Sequence, residues 1–492
     1  MSAFASFADL AAHLDRLGLF RVRPELGRLR LVLAALADRL PSQNSPAHHP
    51  ANHPAHHPAY HPAHGRAVAV QIAGTNGKGS TSTFIASLAA AHGLRVGLFT
   101  SPHFVSFRER IRLNGHMASE AALLEEANLV MDAGGETLTY FEFVTVLAAL
   151  FFAREKAEVV VWETGLGGTW DAATALDVDM VAYTPIGLDH CAILGDTLGA
   201  IATDKAGAMR ETKPVFSSPQ LPEALHALEK AAHAKKCPFH VTAPLADDVP
   251  LGLFGEHQKT NAGLALAVWR EMAKRPPLAE RLAAAKSELT EATLPGPKKY
   301  GPKKCGPETY GPEEYGLATA FIPARLQYVP PQPAISHSDV AQPAFLLDGA
   351  HNGHGMAALG KALAQAGISP GAVIFSCLED KLATDLIPHL RVLATGPIFV
   401  PPIPGNPRAL PPETIAEAIG LAATPAASME EAIRLAAAHI AAYLPQEAAA
   451  RPARHPVLIC GSLYMLGDFF ALRPDCLDPQ RPGSEHGTEN GA

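Results

Sequence analysis

The stretch AVAVQIAGTNGKGSTSTF, residues 67–84, decides how this chain is read. Its first seven residues form a continuous apolar run, broken only by Gln71, of the kind that builds a strand buried on both faces. Two glycines, a lysine and several hydroxyls follow, and a helical pattern begins at about Gly79. The common phosphate-loop spacing, Gly-x-x-x-x-Gly-Lys-Ser/Thr, does not fit. Gly74 and Gly77 stand too close together, and Gly79 separates Lys78 from Ser80. The physics of that loop still applies. Glycines at a strand end let backbone N–H groups converge on an anion at a helix N-terminus. Lys78 can neutralise phosphate charge, and Ser80 or Thr81 can reach a phosphate or its magnesium. An ordinary glycine-rich turn needs no lysine between two glycines.

Further apolar runs repeat the pattern on either side. RVGLFT (95–100), EVVVWET (158–164) and MVAYTP (180–185) read as strands separated by helical segments. A second alternating region follows, with strands at 344–348, 371–376, 397–400 and 457–461 and helices from about His354, at 411–421 and at 429–443. Strand–helix alternation with apolar strands predicts an α/β fold on mostly parallel sheets. The expected domains are 1–295, with 1–41 helical at the start, and 328–475. Residues 296–327 are expected as a low-complexity linker and 476–492 as a disordered tail.

Two biased stretches interrupt this order. SPAHHPANHPAHHPAYHPAHG (45–65) holds seven histidines and a proline about every fourth residue. Proline at that density forbids helix and sheet. Metal binding and a plain low-complexity insert are both open readings, and the insert is favoured because nothing in the repeat sets a coordination geometry. PGPKKYGPKKCGPETYGPEEYG (295–316) repeats Gly-Pro every five residues, which no packed element does.

A length of 492 residues makes two domains the natural expectation. The net charge of −8 argues against a nucleic-acid or membrane-surface protein. There is no apolar run long enough to span a bilayer, and no basic stretch opening a signal peptide. The six cysteines form no CxxC pair and read as reduced thiols of a cytoplasmic protein.

Several motifs together resemble the folylpolyglutamate synthase/dihydrofolate synthase family of the Mur ligase superfamily. They are the short GTNGKGS loop, TSPHFVSFRERIRLNG (100–115), ETGLGGTWDAAT (163–174), GLDHCAILGDTLGAIATDKAGAMR (187–210), GEHQKTNAGLAL (255–266), ARLQ (324–327), LDGAHNGH (347–354) and ICGSLYMLGD (459–468). The resemblance covers most of the chain outside the two biased stretches and the tail. It implies a P-loop ATPase-like N-terminal domain and a smaller Rossmann-like C-terminal domain, with ATP closed between them and water excluded. It also implies a ligase adding L-glutamate to a pteroate or folate through an acyl phosphate, as a monomer.

The residue roles follow from that likeness. Gly74, Thr75, Asn76, Gly77, Lys78, Gly79, Ser80, Asn261, Arg325 and Asp348 are expected on ATP. Lys78, Lys205 and His351 are expected at the reacting groups. Lys205 is implied to carry a carbamate, which requires an amine deprotonated by burial. Ser101, Glu163 and His190 each follow a predicted strand, where a parallel sheet brings loop residues to one crevice. A hydroxyl, a carboxylate and an imidazole can complete the shell of a magnesium that keeps water and phosphate oxygens, and the resemblance implies these three as its ligands.

Thr139, Tyr140, Phe141, Asp171 and Ala172 are expected to form the acceptor pocket, with a stacking face, a hydroxyl and a carboxylate. The family pattern near Asp171 is Gly-Gly-Arg-Leu-Asp-Ala-Thr-Asn. This chain reads Gly167-Gly168-Thr169-Trp170-Asp171-Ala172-Ala173-Thr174, lacking the arginine and the asparagine. Two rivals stay open: another Mur-type amide ligase, and a non-catalytic paralogue that binds nucleotide or folate. A cell-wall ligase is expected to carry a whole extra domain before the loop, whereas fewer than 80 residues precede Lys78.

Overall fold

A computed structural model describes residues 3–18, 23–37, 67–288, 310–332, 342–379, 386–406, 408–420, 422–443 and 452–477. The His/Pro tract at 45–65, most of the Gly-Pro repeat and the tail from 478 lie outside these residues. The described chain divides into two units. The first holds 3–252, 258–288 and 310–320, and the second holds 253–257 and 321–477.

The first unit opens with α1 (Phe7–Leu17) and α2 (Gly27–Ala37) and is then built on eight strands. These are β1 (Val68–Ala73), β2 (Val96–Phe99), β3 (Ile111–Leu113), β4 (His116–Met117), β5 (Val159–Glu163), β6 (Met180–Tyr183), β7 (Val215–Ser217) and β8 (Phe239–Val241). Their order is β4-β3-β2-β5-β1-β6-β7-β8, and pairing is parallel except between β2 and β3 and between β3 and β4. Every residue of β1, β2, β5 and β6 is buried, as the uninterrupted apolar runs require. Helices α3 (Lys78–Ala91), α4 (Glu120–Asp132) and α5 (Tyr140–Arg154) cover the sheet together with α6 (Cys191–Leu194), α7 (Leu198–Ala206), α8 (Pro222–Ala234), α9 (His257–Met272) and α10 (Pro276–Glu288). α5 is buried almost all round, and Gly97 on β2 leaves room for its Phe152. Phe152 and Phe99 each stand 5.5 Å from the Trp162 ring in the core.

Part of the stretch expected as linker is helical. α11 (Pro312–Thr319) packs against α3, and the Gly252 amide donates to the Leu317 carbonyl at 2.8 Å. The repeat's last unit, GPEEYG, supplies a proline at the first helical turn and two acidic residues after it, both favourable at a helix start.

The second unit carries β9 (Gln327–Val329), β10 (Phe345–Leu347), α12 (Gly353–Ala366), β11 (Ala372–Phe375), α13 (Ile387–Leu393), β12 (Ile398–Val400), α14 (Pro412–Ile419), β13 (Ala423–Pro425), α15 (Met429–Tyr443), β14 (Val457–Cys460) and α16 (Leu463–Leu472). Its six-stranded sheet runs β13-β12-β11-β14-β10-β9, parallel except for β9. The chain is therefore an α/β protein with two mostly parallel sheets. No helix among the described residues is long and apolar enough to cross a membrane.

Candidate functional site

The loop after β1 is held open by backbone constraints. Gly74 has φ +139° and Gly77 φ +90°, conformations that favour glycine. A Cβ on Gly74 would collide with Thr184 and one on Gly77 with Asn261 Oδ1, so neither position has room for a side chain. Asn261, on α9, is fixed by its own Nδ2 donating to Gln258 Oε1 at 2.9 Å. The Thr75 amide donates to the Pro185 carbonyl at 3.1 Å, and Thr75 Oγ1 to the Gly187 carbonyl at 3.1 Å. This ties the loop to the segment after β6. Lys78 opens α3, and its Nζ donates to the Thr75 carbonyl at 3.1 Å. Ser80 is buried behind it.

The ends of β1, β5 and β6 meet in one small, partly open cavity. Gly74, Thr75 and Lys78 form one wall, Thr164 to Gly167 another, and Asp189, His190 and Lys205 a third. Lys205 is 5% exposed. Burial pulls its amine down to about 7, Lys78 pushes the same way, and Asp204, Asp189 and Asp171 oppose. His190 is exposed with φ +52°, and its amide donates to Asp189 Oδ1 at 2.9 Å. Glu163, at the end of β5, is buried and accepts the Ser101 amide at 2.9 Å. The structure thus joins Ser101 to Glu163 and puts His190 in the cavity with both lysines. Asp189 lines the same wall and was not singled out from the sequence, although it lies in the same GLDH stretch.

Among the described residues, no cluster of three or more His, Cys, Asp or Glu side chains could hold a metal alone. A hydroxyl, one buried carboxylate and one imidazole suit an ion that takes the rest of its shell from phosphate and water, as magnesium does.

The acceptor wall differs from expectation. Thr139 Oγ1 donates to Glu142 Oε2 at 2.8 Å as the cap of α5, so its hydroxyl is engaged. Glu142 is also held by Arg28 of α2, with Nε donating at 3.0 Å and Nη2 at 2.7 Å. Tyr140 is buried beside Arg110, whose guanidinium lies 5.5 Å from the ring centroid, so it presents no open stacking face. Ala172 is buried as well. Both Asp171 oxygens are occupied. Oδ2 accepts the Gly165 and Leu166 amides at 2.9 and 3.1 Å, and Oδ1 accepts the Ala173 amide at 2.9 Å. Burial raises its carboxyl to about 6, against the pull of those three N–H groups and Lys78. Asp171 is the keystone of the loop after β5. Phe141, half-buried, reaches this loop: a Cβ on Gly165 would lie 2.5 Å from its Cζ.

A second buried network, missed in the sequence, supports the same loop. Gln71 Nε2, inside β1, donates to Thr164 Oγ1 at 3.1 Å and to Thr174 Oγ1 at 2.9 Å. Arg210 Nη2 donates to the carbonyls of Thr174 and Leu176 at 2.9 and 3.0 Å. A polar residue amid β1's apolar run was the available signal.

In the second unit, Asp348 follows β10 and accepts the Leu326 and Ala350 amides, both at 2.9 Å. Burial raises its carboxyl, and Arg325 opposes. Arg325 Nη1 donates to the Ala324 carbonyl at 3.0 Å, and His351 Nδ1 lies 2.7 Å from the Gly349 carbonyl. Asn352 caps α12 by accepting the Gly355 amide at 2.8 Å. Arg325, Asp348 and His351 thus share the carboxyl end of the second sheet, at the start of α12.

A short glycine-rich loop at a strand switch point, two lysines in its cavity and a second, smaller and mostly parallel sheet form the arrangement in which open α/β proteins bind ligands. Residues 335–462 match the family model for the Mur ligase, glutamate ligase domain. A folylpolyglutamate synthase of Arabidopsis thaliana is 37% identical over 307 residues, covering 59% of this chain and 50% of that relative. The dihydrofolate synthase/folylpolyglutamate synthase of Bacillus subtilis (strain 168) is 29% identical over 425 residues, covering 80% of this chain and 84% of the relative. The bifunctional folylpolyglutamate synthase/dihydrofolate synthase of Yersinia pestis, solved with AMPPNP and manganese, matches with a TM-score of 0.70 at 25% identity, covering 96% of this chain and 99% of that one. The matches to the plant relatives span about half of those proteins' length. Over most of its length the chain is thus similar to proteins of the folylpolyglutamate synthase/dihydrofolate synthase family, and its second unit carries the Mur ligase, glutamate ligase domain.

Proposed function

We propose that this chain is an ATP-dependent ligase that adds L-glutamate to dihydropteroate, to folate polyglutamates, or to both. The observation that carries the reading is one cavity holding the phosphate-loop lysine and a second, buried lysine whose amine sits near 7. The acceptor carboxylate attacks the γ-phosphorus, the bond to the bridging oxygen breaks, and ADP leaves. The glutamate amine then attacks the acyl phosphate carbonyl, phosphate departs, and the amine proton passes to solvent. Phosphoryl transfer of this kind is accelerated by positioning and charge neutralisation. Lys78 supplies a cation, and Gly74 and Gly77 let the loop backbone pack tightly against Thr184 and Asn261. Ser101, Glu163 and His190 would hold a magnesium ion, which neutralises phosphate charge when bound. Lys205, as a carbamate, would bring an anion to the same wall. From the second unit we assign Arg325 and Asp348 to nucleotide and His351 to the reacting groups. The described cysteines are free thiols, which supports a cytoplasmic location.

The test is phosphate release from ATP with and without acceptor and glutamate. We expect release only when dihydropteroate or a reduced folate and L-glutamate are both present, with the amide product found by mass spectrometry. Lys78→Ala should lower kcat by about 100-fold or more. Release driven only by a cell-wall precursor would identify a different Mur-type ligase. Nucleotide binding without turnover on any acceptor would identify a binding paralogue.

A further inference from the structure

Gln220 lies between β7 and α8, outside the motifs that pointed to the cavity. β6 and β7 pair as far as Tyr183 and Ser217, and the Ser218 amide adds one bond to the Tyr183 carbonyl at 2.9 Å. There β7 ends, while Thr184, Pro185 and Ile186 still carry backbone groups that need partners. Thr184 and Ile186 are buried, and Pro185 has no N–H to offer. The Gln220 carboxamide supplies what a longer strand would. Its Nε2 donates to the Thr184 carbonyl at 3.0 Å, and its Oε1 accepts the Ile186 amide at 2.9 Å. A carboxamide pairs donor with acceptor as a peptide group does, so it extends the ladder by one rung.

Two buried hydroxyls fix the orientation of this amide. Nε2 also donates to Ser217 Oγ at 3.1 Å and to Ser218 Oγ at 3.4 Å. Those hydroxyls spend their own protons on the Ser218 and Tyr183 carbonyls, at 2.8 and 3.2 Å, and keep lone pairs for Gln220. What the amide holds is the residue between its two backbone partners. The Pro185 carbonyl accepts the Thr75 and Asn76 amides at 3.1 and 3.3 Å. Next to it, the Gly187 amide donates to Thr75 Oγ1 at 3.0 Å, and that hydroxyl donates to the Gly187 carbonyl. Two residues on, Asp189 and His190 line the Lys78 cavity, which Gln220 itself does not line. The strand end clamped by Gln220 therefore carries one wall of the cavity and anchors the loop that forms another.

We propose that Gln220 is a positioning residue for the nucleotide: it fixes where the phosphate loop stands relative to the wall of Asp189 and His190. The inference rests on the nucleotide reading of this cavity. Phosphate and metal are held by groups from both sides, so a shift of one side against the other costs affinity without removing any contacting side chain. The acceptor and glutamate are not bound by this strand end, so their affinities are not set by Gln220.

Gln220→Glu and Gln220→Ala test this. At pH 8 the glutamate keeps the shape and can accept the Ile186 amide, but it cannot donate, and its charge faces the Thr184 carbonyl. Calorimetric titration with AMPPNP and magnesium should show Kd raised about tenfold in both variants, the scale of one or two lost buried hydrogen bonds. In turnover, KM for ATP should rise in step, while KM for dihydropteroate and for L-glutamate should stay within about twofold of wild type. Variants with a lower Tm but wild-type nucleotide Kd would make Gln220 a stabilising residue only and overturn the proposal. An equal rise in all three KM values would overturn it too, as a general loosening. Failure of the ligase reading looks different, because the titration needs no turnover. Wild type that binds AMPPNP but ligates no acceptor would remove the ligase reading and leave Gln220 in its role. Wild type that binds no AMPPNP would remove both.

Discussion

Lys78 and Lys205 face one cavity, yet their settings differ. Lys78 is half-buried at a helix start and anchored by a carbonyl. Lys205 is buried, and the cost of holding a charge there brings its amine down to about 7. Near neutral pH a large fraction of this amine is unprotonated, which an ordinary lysine with a value of 10.5 is not. A neutral amine is what carbon dioxide can attach to. With ¹³C-bicarbonate, a carbamate resonance should therefore grow as pH rises through about 7 and be absent in Lys205→Arg. A resonance that appears only near pH 10, or one that survives in the variant, would remove Lys205 from that role. Stability has the same sign. Between about 7 and 10.5 the unfolded chain binds more protons at this site than the folded one, so this group's contribution improves as pH rises through that window.

At the scale of elements, the loop after β5 is the best example of structure made by one side chain. Residues 165–173 carry amides with no ladder partner, and Asp171 collects three of them. Its carboxyl value of about 6 exceeds the ordinary 3.8, so between pH 6 and 4 the folded protein takes up a proton that the unfolded chain does not. This group's contribution to stability therefore grows as pH falls through that range. Asp171→Asn should lower Tm at pH 7, because a neutral amide can offer only one oxygen to three donors. It should also flatten the Tm difference between pH 6.5 and 4.5 relative to wild type. Parallel Tm curves for the two proteins would show that Asp171 does not titrate in this range. The Arg28–Glu142–Thr139 chain works in the same way, fixing the start of α5 from a helix more than 100 residues away in sequence.

At the scale of the whole molecule, the described residues leave the first unit at 252, return at 258 and leave again at 320. The last segment before that final departure is α11, which lies on α3, the helix that begins with Lys78. Contact is close because position 316 is glycine. A Cβ there would lie 2.8 Å from Leu88 Cα and 3.0 Å from the Ser87 carbonyl oxygen. Gly316→Val should push α11 away and cost about 1–3 kcal/mol, read as a lower urea midpoint. An unchanged midpoint would mean that α11 contributes nothing to the first unit. The repeat GPEEYG that reads as linker is thus, in its last copy, a packed helix.

The parallel strands and the phosphate loop were legible because each is a local pattern: an apolar run, two glycines, a lysine. The short strands β3, β4, β7, β8, β9 and β13 were not, since two or three residues carry no period and form only when a neighbouring edge is present. The strand pattern also put Ser101, Glu163 and His190 at one crevice, because parallel sheets bring the residues after their strands together, whereas Lys205 came only with the family resemblance. What each of those groups does depends on distance and burial, which local sequence does not encode. Only the tertiary structure turned Asp171 from an open ligand into a loop keystone, covered Tyr140 beside Arg110, joined Gln71 to Arg210 across 139 positions and left Trp170 half exposed. The physical reason is common to all four: hydrogen-bond saturation and burial are set by partners far along the chain, whereas strand and loop propensities are set by neighbours.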